Sequence, residues 1–195
     1  MKNYIEMLEE IKQYQPKENS FEEVEKEAIL KFLETYQEFA FDRNNLIAHM
    51  TSSAIIINKD KSKVLFAYHL IYKSFGWLGG HADNEFDLYE VAKKELKEES
   101  GLVHFKEYSK KPISLEILPV YAHIKKGKKV PTHLHLNVTY VFIGDETDSL
   151  TIKKDENNAV AWININEIDK LVTEEEMKGV YKKILDKIKV SNYVS

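Results

Sequence analysis

Apolar residues recur at every third or fourth position in the first part of the chain. Between residues 4 and 41 this spacing is that of amphipathic helices, and Gln15-Pro16 interrupts it. Ser20 and Glu23 have the spacing of a capping box, in which each side chain bonds the other residue's backbone N–H, so the longer helix is predicted to begin there. The pattern therefore predicts a helical segment at the start of the chain.

After Asn44-Asn45 the pattern changes to short runs rich in β-branched and aromatic residues, which are typical of strands. The runs cover residues 53–57, 64–70, 114–124 and 134–143. A lysine-rich stretch, residues 125–129, follows the third run and is typical of a solvated hairpin tip, although a phosphate-binding patch is the alternative. The core is therefore predicted to contain a sheet.

One well-marked helix, residues 87–99, lies between the second and third runs. Asp87 and Glu90 suit its N-cap and third positions, and Phe86 and Val91 have the spacing of a hydrophobic staple. Gly101 suits the left-handed position that ends a helix. A further amphipathic helix, residues 174–188, comes last, so helices precede, interrupt and follow the strands in an α/β order.

The composition narrows the chemistry. A chain of 195 residues suits one domain with an elaboration, and 43% hydrophobic with 31% charged residues is typical of a packed fold. The sequence contains no cysteine, which excludes disulfides, thiol catalysis and thiolate metal sites. Any metal ion must therefore be bound by oxygen or imidazole ligands.

The formal net charge of −4 offers no broad surface for the backbone of a long nucleic acid, so a small anionic ligand at a local metal ion is expected instead. The N-terminus, MKNYIEMLEEIK, has glutamates where a signal peptide needs apolar residues, and no later apolar run reaches membrane-spanning length. We therefore expect a cytoplasmic protein that does not enter a membrane.

Three glutamates mark the helix at residues 87–99. Glu95, Glu98 and Glu99 are spaced i, i+3 and i+4, which places their carboxylates on one side of the helix. Repulsion between such charges costs roughly 0.2–0.5 kcal/mol per exposed pair, so a solvated face would also tolerate the cluster. The neighbourhood favours a functional cluster, because Gly79-Gly80 precedes the helix and Gly101-Leu102 follows it.

The segment GGHADNEFDLYEVAKKELKEESGL resembles the Nudix box, whose pattern is G, five residues, E, seven residues, then R-E-U-x-E-E-x-G-U with U aliphatic. Gly80 matches the first glycine, and the closing half matches at Glu95, Leu96, Glu98, Glu99, Gly101 and Leu102. The box glutamate and arginine, an ion pair in the family, are replaced together by Phe86 and Lys94. HMTSSA, GGHAD and HLHLN extend the resemblance over residues 49–162, to a Nudix subgroup with GGHAD in this loop.

This resemblance implies an α/β/α sandwich around a mixed sheet, residues 45–195, preceded by a helical N-terminal extension, residues 1–44. It also implies a hydrolase that cleaves a diphosphate linkage in a nucleoside diphosphate derivative or similar small molecule. Glu95, Glu98, Glu99 and the carbonyl of Gly79 would bind Mg²⁺ or Mn²⁺. One carboxylate would accept the proton of water, with Glu98 as first candidate and Glu156, otherwise a solvated loop charge, outside the box.

The histidines divide into two groups. His133 and His135 are two apart in a predicted strand, so both side chains lie on one face and either contact substrate or form a hydrogen-bonded pair. His81 follows the glycine pair and is expected to contact substrate. The remaining four, with no such context, are expected to be structural: His49, His69, His104 and His123.

Two other classes of function stay open at this point. A Nudix-fold module with an altered box could bind a nucleotide without turnover, and it would then tolerate neutral residues at Glu98 and Glu99. The N-terminal helices could instead serve as an interaction surface. A homodimer is also left open by the sequence.

Overall fold

The computed structural model describes residues 2–18, 20–70, 73–125, 127–152 and 157–190. The helices are α1 (Tyr4–Gln13), α2 (Glu22–Tyr36), α3 (Leu88–Ser100), α4 (Ile168–Leu171) and α5 (Glu175–Val190). The strands are β1 (Ala48–Ile57), β2 (Lys63–His69), β3 (Ser74–Gly76), β4 (Leu78–His81), β5 (Phe105–Glu107), β6 (Ser114–Val120), β7 (His123–Lys125), β8 (Lys128–Val130), β9 (His133–Gly144) and β10 (Asn157–Asn164). Short 3₁₀ helices follow α2 and β10.

Within the described residues, eight strands form one mixed sheet. Its main path runs β10-β2-β1-β9-β5, while β3 pairs with β2, β4 with β1 and β6 with β9. β1 and β9 are parallel over residues 48–57 and 134–143, and the other pairs are antiparallel. This long parallel pair at the centre brings the beginnings of two distant strands together.

The two faces of β1 pack against different helices. Met50, Ala54 and Ile56 belong to a core that includes buried residues of α1, α2 and α3. Ile55 and Ile57 belong to a second core, which includes buried residues of α5. Because successive strand residues point to opposite faces, helices cover both sides of the sheet. The predicted α/β/α arrangement around a mixed sheet is confirmed.

The start of α2 differs from the prediction. The helix begins at Glu22, Phe21 has helical dihedrals, and no side chain caps the first turn. The hydroxyl of Ser20 donates to the carbonyl oxygen of Lys17 at 2.5 Å, so it is engaged in the preceding turn. The predicted capping box of Ser20 and Glu23 is therefore wrong, and a capping box is found instead on α1, at Asn3 and Glu6.

The strand prediction was also incomplete. β1 begins at residue 48 rather than 53, because its polar first half pairs with β9, and β10 was not predicted. The hairpin predicted around residues 125–129 is confirmed: β7 and β8 pair antiparallel, with Gly127 at φ 78° between them, although Lys126 lies outside the described residues. No helix in the described part of the chain is both long and apolar enough to cross a bilayer.

Candidate active site

α3 carries the three glutamates and is placed by its apolar face. Leu88, Val91, Ala92 and Leu96 are buried, and Gly101 ends the helix with φ 68°. The buried face and the left-handed end agree with the helix predicted for this segment, whereas the predicted N-cap side chain does not. Asp87 is the N-cap residue but caps no backbone group, and its carboxylate lies 3.5 Å from the ammonium of Lys2.

Glu99 is held between two strands of the sheet. Its side chain is buried, with 3% of the residue exposed. The backbone N–H of Gly79 donates to one carboxylate oxygen at 3.3 Å, and the side-chain amide of Asn157 donates to the other at 3.0 Å. These two contacts, one to each oxygen, fix the orientation of the Glu99 carboxylate.

Glu95 lies directly against the glycine pair. A Cβ atom added to Gly80 would lie 2.6 Å from the carboxyl carbon of Glu95, so glycine leaves room for this carboxylate against β4. A Cβ atom at Gly79 would lie 2.7 Å from the carbonyl oxygen of Ser52 in β1. The two glycines therefore permit close approach on two different sides of β4.

Glu98 is the most accessible of the three carboxylates. Its side chain is 44% exposed, and the ammonium of Lys94 lies 3.8 Å away, one turn earlier on the helix. Lys94 itself is 65% exposed. Phe86, two residues before α3, makes edge-to-face contacts with Tyr4 and Phe41.

The predicted metal ligands fit a hard divalent cation. Mg²⁺ prefers oxygen ligands, and this end of α3 offers the carboxylates of Glu95 and Glu99 beside the glycine pair, with Glu98 on the same helix. The N–H and carbonyl of one strand residue point to the same side, and the N–H of Gly79 reaches Glu99 rather than β1. The Gly79 carbonyl therefore also faces away from β1. Glu156, the other candidate for the base, lies outside the described residues.

Four histidines meet at the beginnings of β1 and β9 and the end of β4. His49 is paired with His135 across the parallel strands, and His81 pairs with Thr51. The Nε2 atoms of His133 and His135 are 3.2 Å apart, which confirms that both side chains lie on one face of β9. His49 is 4% exposed and contacts the rings of the other three.

His49 was expected to be structural on sequence alone, yet it lies inside this group. The overlooked signal is the alternation of polar residues in β1, because His49, Thr51 and Ser53 point to the same face. The hydroxyls of Thr51 and Ser53 both donate to the side-chain oxygen of Asn137, at 3.0 and 2.9 Å. A polar row on β1 thus matches one on β9.

Three histidines of this group, His49, His81 and His135, have lowered pKa values. Burial, followed by the positive charge of Arg43 and by His49, lowers the pKa of His81 to about 3. Burial and then the neighbouring histidines lower the pKa of His135 to about 2. Burial also lowers the pKa of His49. Neutral imidazoles can each donate one hydrogen bond and offer one lone pair.

The other three histidines lie elsewhere. His69 contacts the carbonyl oxygen of Trp77 at 2.9 Å, His104 pairs with Asp148, and His123 contacts the carbonyl oxygen of Tyr121. These are contacts within loops and strands, away from the glutamates of α3. They agree with the structural role expected for these residues.

A family model described as NUDIX domain matches residues 48–187, which is most of the chain. No curated protein sequence matches the chain. Among solved structures, a NUDIX-family hydrolase from Clostridium perfringens is similar at 21% identity, covering 71% of this chain and 96% of that one, with a TM-score of 0.49. A C. elegans Ap4A hydrolase is similar at 16% identity, covering 75% and 98%, with a TM-score of 0.48. A mutator MutT protein from Bacillus halodurans is similar at 16% identity, covering 70% and 81%, with a TM-score of 0.45.

Proposed function

The chain belongs to the Nudix family, and from this membership we propose that it is a hydrolase that uses Mg²⁺ or Mn²⁺ to cleave a diphosphate linkage in a small molecule. The substrate class is a nucleoside diphosphate derivative or a similar compound. One observation carries the proposal: Glu95 of α3 lies against Gly80, and Glu99 accepts a hydrogen bond from the Gly79 backbone. Glu98 lies on the same helix, one residue before Glu99.

Each glutamate has a distinct task in this proposal. Glu99 is immobilised by Gly79 and Asn157, so it is suited to hold a cation in a fixed place. Glu95 lies against Gly80 and completes the oxygen ligands together with the Gly79 carbonyl. Divalent ions bound here would supply Lewis-acid stabilisation of the charge on the diphosphate oxygens.

Glu98 is the first candidate for the group that accepts the proton of the attacking water. Its carboxylate is the most exposed of the three, so water can reach it, and its lysine neighbour is itself solvated. A carboxylate within hydrogen-bond reach of the water would act as a general base. Glu95 and Glu99 are the alternatives within the box, and Glu156 is the alternative outside it.

We further propose that His81, His133 and His135 contact the substrate. His81 directly follows Gly80 in β4, so one of these histidines is adjacent in sequence to the glycine that contacts Glu95. Because the pKa values of His81 and His135 are far below neutrality, their contribution is hydrogen bonding rather than positive charge. A neutral imidazole N–H can orient a diphosphate by hydrogen bonding, while the metal ions balance the negative charge of the diphosphate.

The test is a screen with Mg²⁺ or Mn²⁺ against nucleotide sugars, dinucleoside polyphosphates, NADH, coenzyme A and nucleoside triphosphates. We expect hydrolysis of at least one class, abolished by a chelator and restored by either ion, and insensitive to thiol reagents because the chain has no cysteine. With water labelled by heavy oxygen, the label should enter a phosphate product, since the attack is at phosphorus.

Three results would contradict this function. Turnover that survives exhaustive chelation would show that the reaction does not need a metal ion. Label in a sugar or acyl product would show that water does not attack phosphorus. Binding of a nucleotide with no cleavage in the whole screen would favour the nucleotide-binding module. In that case, Glu98→Gln and Glu99→Gln should leave nucleotide affinity unchanged.

A further inference from the structure

His49, His81, His133 and His135 form what we call the imidazole cluster. Its ring centroids are separated by 5.0 Å for His49–His81, 4.9 Å for His49–His133, 5.1 Å for His49–His135, 5.1 Å for His81–His135 and 5.1 Å for His133–His135. The residues come from three strands, β1, β4 and β9, so the tertiary fold assembles the cluster. Packing of four polar rings around one point calls for a physical reason, because each buried ring nitrogen needs a partner.

Backbone carbonyls fix the proton position on two of the rings. Nδ1 of His49 lies 3.1 Å from the carbonyl oxygen of Asn45, and Nδ1 of His133 lies 2.8 Å from that of Pro131. A carbonyl oxygen only accepts, so both Nδ1 atoms carry the proton. On each of these two rings, Nε2 is therefore the nitrogen that can offer a lone pair.

Nε2 of His49 has no hydrogen-bond partner among the described residues, although it is buried. An unpaired buried acceptor costs free energy, and native structures rarely retain one without a ligand or water. Metal-binding histidines characteristically donate their other ring N–H to a carbonyl or carboxylate, which orients the ring. His49 and His133 both show this arrangement, with Asn45 and Pro131 as the acceptors.

The spacing of the nitrogens suits one metal ion. One ring nitrogen each from His49, His81 and His135 lie within 4.8 Å of one another. Metal–nitrogen bonds of about 2.0–2.1 Å in a tetrahedron place ligand nitrogens about 3.3 Å apart, so small ring rotations would close the site. The Nε2 atoms of His133 and His135 are already 3.2 Å apart, in a hydrogen bond that a shared metal ion would replace.

The ligand atoms at this site are ring nitrogens, and charged side chains lie near them. Arg43 and Lys125 act against a positive charge at His81, whereas Asp83, which is paired with Arg43, acts in its favour. A ligand set made of imidazole suits Zn²⁺, Ni²⁺ and Cu²⁺, whereas Mg²⁺ prefers oxygen ligands.

We propose that His49, His81 and His135 form a binding site for a divalent transition-metal ion, with Zn²⁺ as the reference ion and His133 as a fourth nitrogen ligand. This imidazole site shares no ligand with the carboxylate site of α3, but it uses His81, His133 and His135, the residues proposed above to contact the substrate. It lies one residue further along β4 than Gly80, and it does not depend on diphosphate hydrolysis.

The direct experiment is calorimetric titration of the metal-free full chain with Zn²⁺ in excess Mg²⁺, which occupies the oxygen ligands. One Zn²⁺ ion should bind per chain, and X-ray absorption should show three or four nitrogen ligands at about 2.0–2.1 Å. At a free Zn²⁺ concentration about 100-fold above Kd, the melting temperature should rise by about 5–10 °C. The reference is the protein in Mg²⁺ alone, which should not show this additional rise in melting temperature.

Variants locate the site. Two single variants, His49→Ala and His81→Gln, should each weaken Zn²⁺ binding; His81 is half-buried. The loss should exceed the roughly 10–100-fold that is typical when a residue hydrogen-bonded to a metal ligand is removed. His104→Ala, a histidine outside the cluster, and Glu98→Gln, in the carboxylate site, should bind Zn²⁺ as the wild type does. Circular dichroism of the metal-free proteins checks that each variant is folded.

Two outcomes would overturn the proposal. One is an absorption spectrum of the wild-type protein with only oxygen ligands around Zn²⁺, which needs no variant. The other is a folded His81→Gln protein with unchanged Zn²⁺ affinity. Loss of Zn²⁺ binding in Glu98→Gln but not in His81→Gln would likewise place the ion at α3 instead of at the cluster.

Discussion

At the scale of single residues, Gly79 and Gly80 differ in what a side chain would meet. A Cβ atom at Gly80 meets the mobile end of Glu95, whereas one at Gly79 meets backbone atoms of Ser52 and Ser53 at 2.7 and 3.0 Å. A side chain can rotate away but a paired strand cannot. Substitutions at Gly80 and Gly79 therefore distinguish an effect on the carboxylate site from an effect on the fold.

We predict that Gly80→Ala lowers turnover by at least about 10-fold with little loss of stability, because the Glu95 carboxylate must leave its place beside β4. Gly79→Ala is the matched comparison and should lower the free energy of unfolding by about 1–3 kcal/mol through strain in the sheet. Turnover and denaturant unfolding of both variants provide the measurement. Equal stability losses in the two variants would contradict this distinction.

A second residue-scale prediction concerns Glu98. Glu98→Gln should reduce turnover by roughly 10² or more, the scale of losing a general base or an electrostatic stabiliser. Folding should survive, since removing one of three clustered carboxylates relieves repulsion of roughly 0.2–0.5 kcal/mol per pair. The exposed ion pair with Lys94 contributes little. Two measurements test this: turnover, and thermal unfolding in the absence of metal. The control is Glu90→Gln, which changes an exposed glutamate of the same helix. Equal turnover in the two variants would remove Glu98 from the mechanism.

At the scale of elements, a buried ionic cluster joins α2, α5 and β6. The side chain of Glu22 is fully buried, and its carboxylate accepts hydrogen bonds from Lys187 at 2.7 Å and Tyr14 at 2.6 Å. Lys183 lies 3.2 Å from Glu22 and 3.1 Å from Glu116. The N-terminal helices are therefore attached to the last helix by charge as well as by apolar contact.

This cluster predicts acid sensitivity. Burial alone would raise the pKa of Glu22, but hydrogen bonds from Lys187, Tyr14 and the Lys17 backbone outweigh it and lower the pKa to about 2. A carboxyl with a lowered pKa in the folded state stabilises the fold above its ordinary pKa, and this stabilisation is lost as the pH falls from about 4.5 towards about 2. The shift corresponds to about 3 kcal/mol.

Glu22→Gln tests the prediction. At pH 7 the variant should lose about 3–5 kcal/mol of unfolding free energy, because the Lys187 ammonium stays buried without its partner. The difference from wild type should shrink as the pH falls below about 4.5, since protonation neutralises the wild-type carboxyl as well. Urea unfolding over this pH range is the measurement, with exposed Glu23→Gln as control. A difference that stays constant with pH would refute the assignment.

At the scale of the whole molecule, the N-terminal elements share one core with the sheet. Met7, Ile11, Ile29, Leu33 and Phe41 are at most 1% exposed, and all belong to the core that also contains Met50 of β1 and Leu96 of α3. The division into an extension, residues 1–44, and a domain, residues 45–195, stays a prediction. Shared apolar burial indicates that the second part relies on the first.

We predict that a chain starting at residue 45 loses the cooperative unfolding transition of the full chain, because removal of the first 44 residues exposes this core and leaves Lys187 without Glu22. Calorimetry of both chains is the measurement. A control variant, Phe21→Ser, changes an apolar residue that is 84% exposed and should unfold as the wild type does. A truncated chain with an unchanged transition would show that the N-terminal helices form a separable surface, as an interaction role requires.

The sequence by itself determined the local features of this protein. The span of α3, its left-handed end at Gly101 and the spacing of Glu95, Glu98 and Glu99 follow from helical periodicity and from the backbone freedom of glycine. The same segment carried the resemblance that the family match then supported. These features were predictable because neighbours along the chain fix them, whatever the rest of the molecule does.

Only the tertiary structure decided which distant polar residues meet. Parallel pairing of β1 with β9 placed His49 beside His135, and helix packing placed Glu22 beside Lys187, 165 positions later. The capping box expected at Ser20 failed because the chain turns there and places Glu22 at the start of α2. Such contacts repay the entropy of loop closure only when the whole fold forms, so no local pattern encodes them.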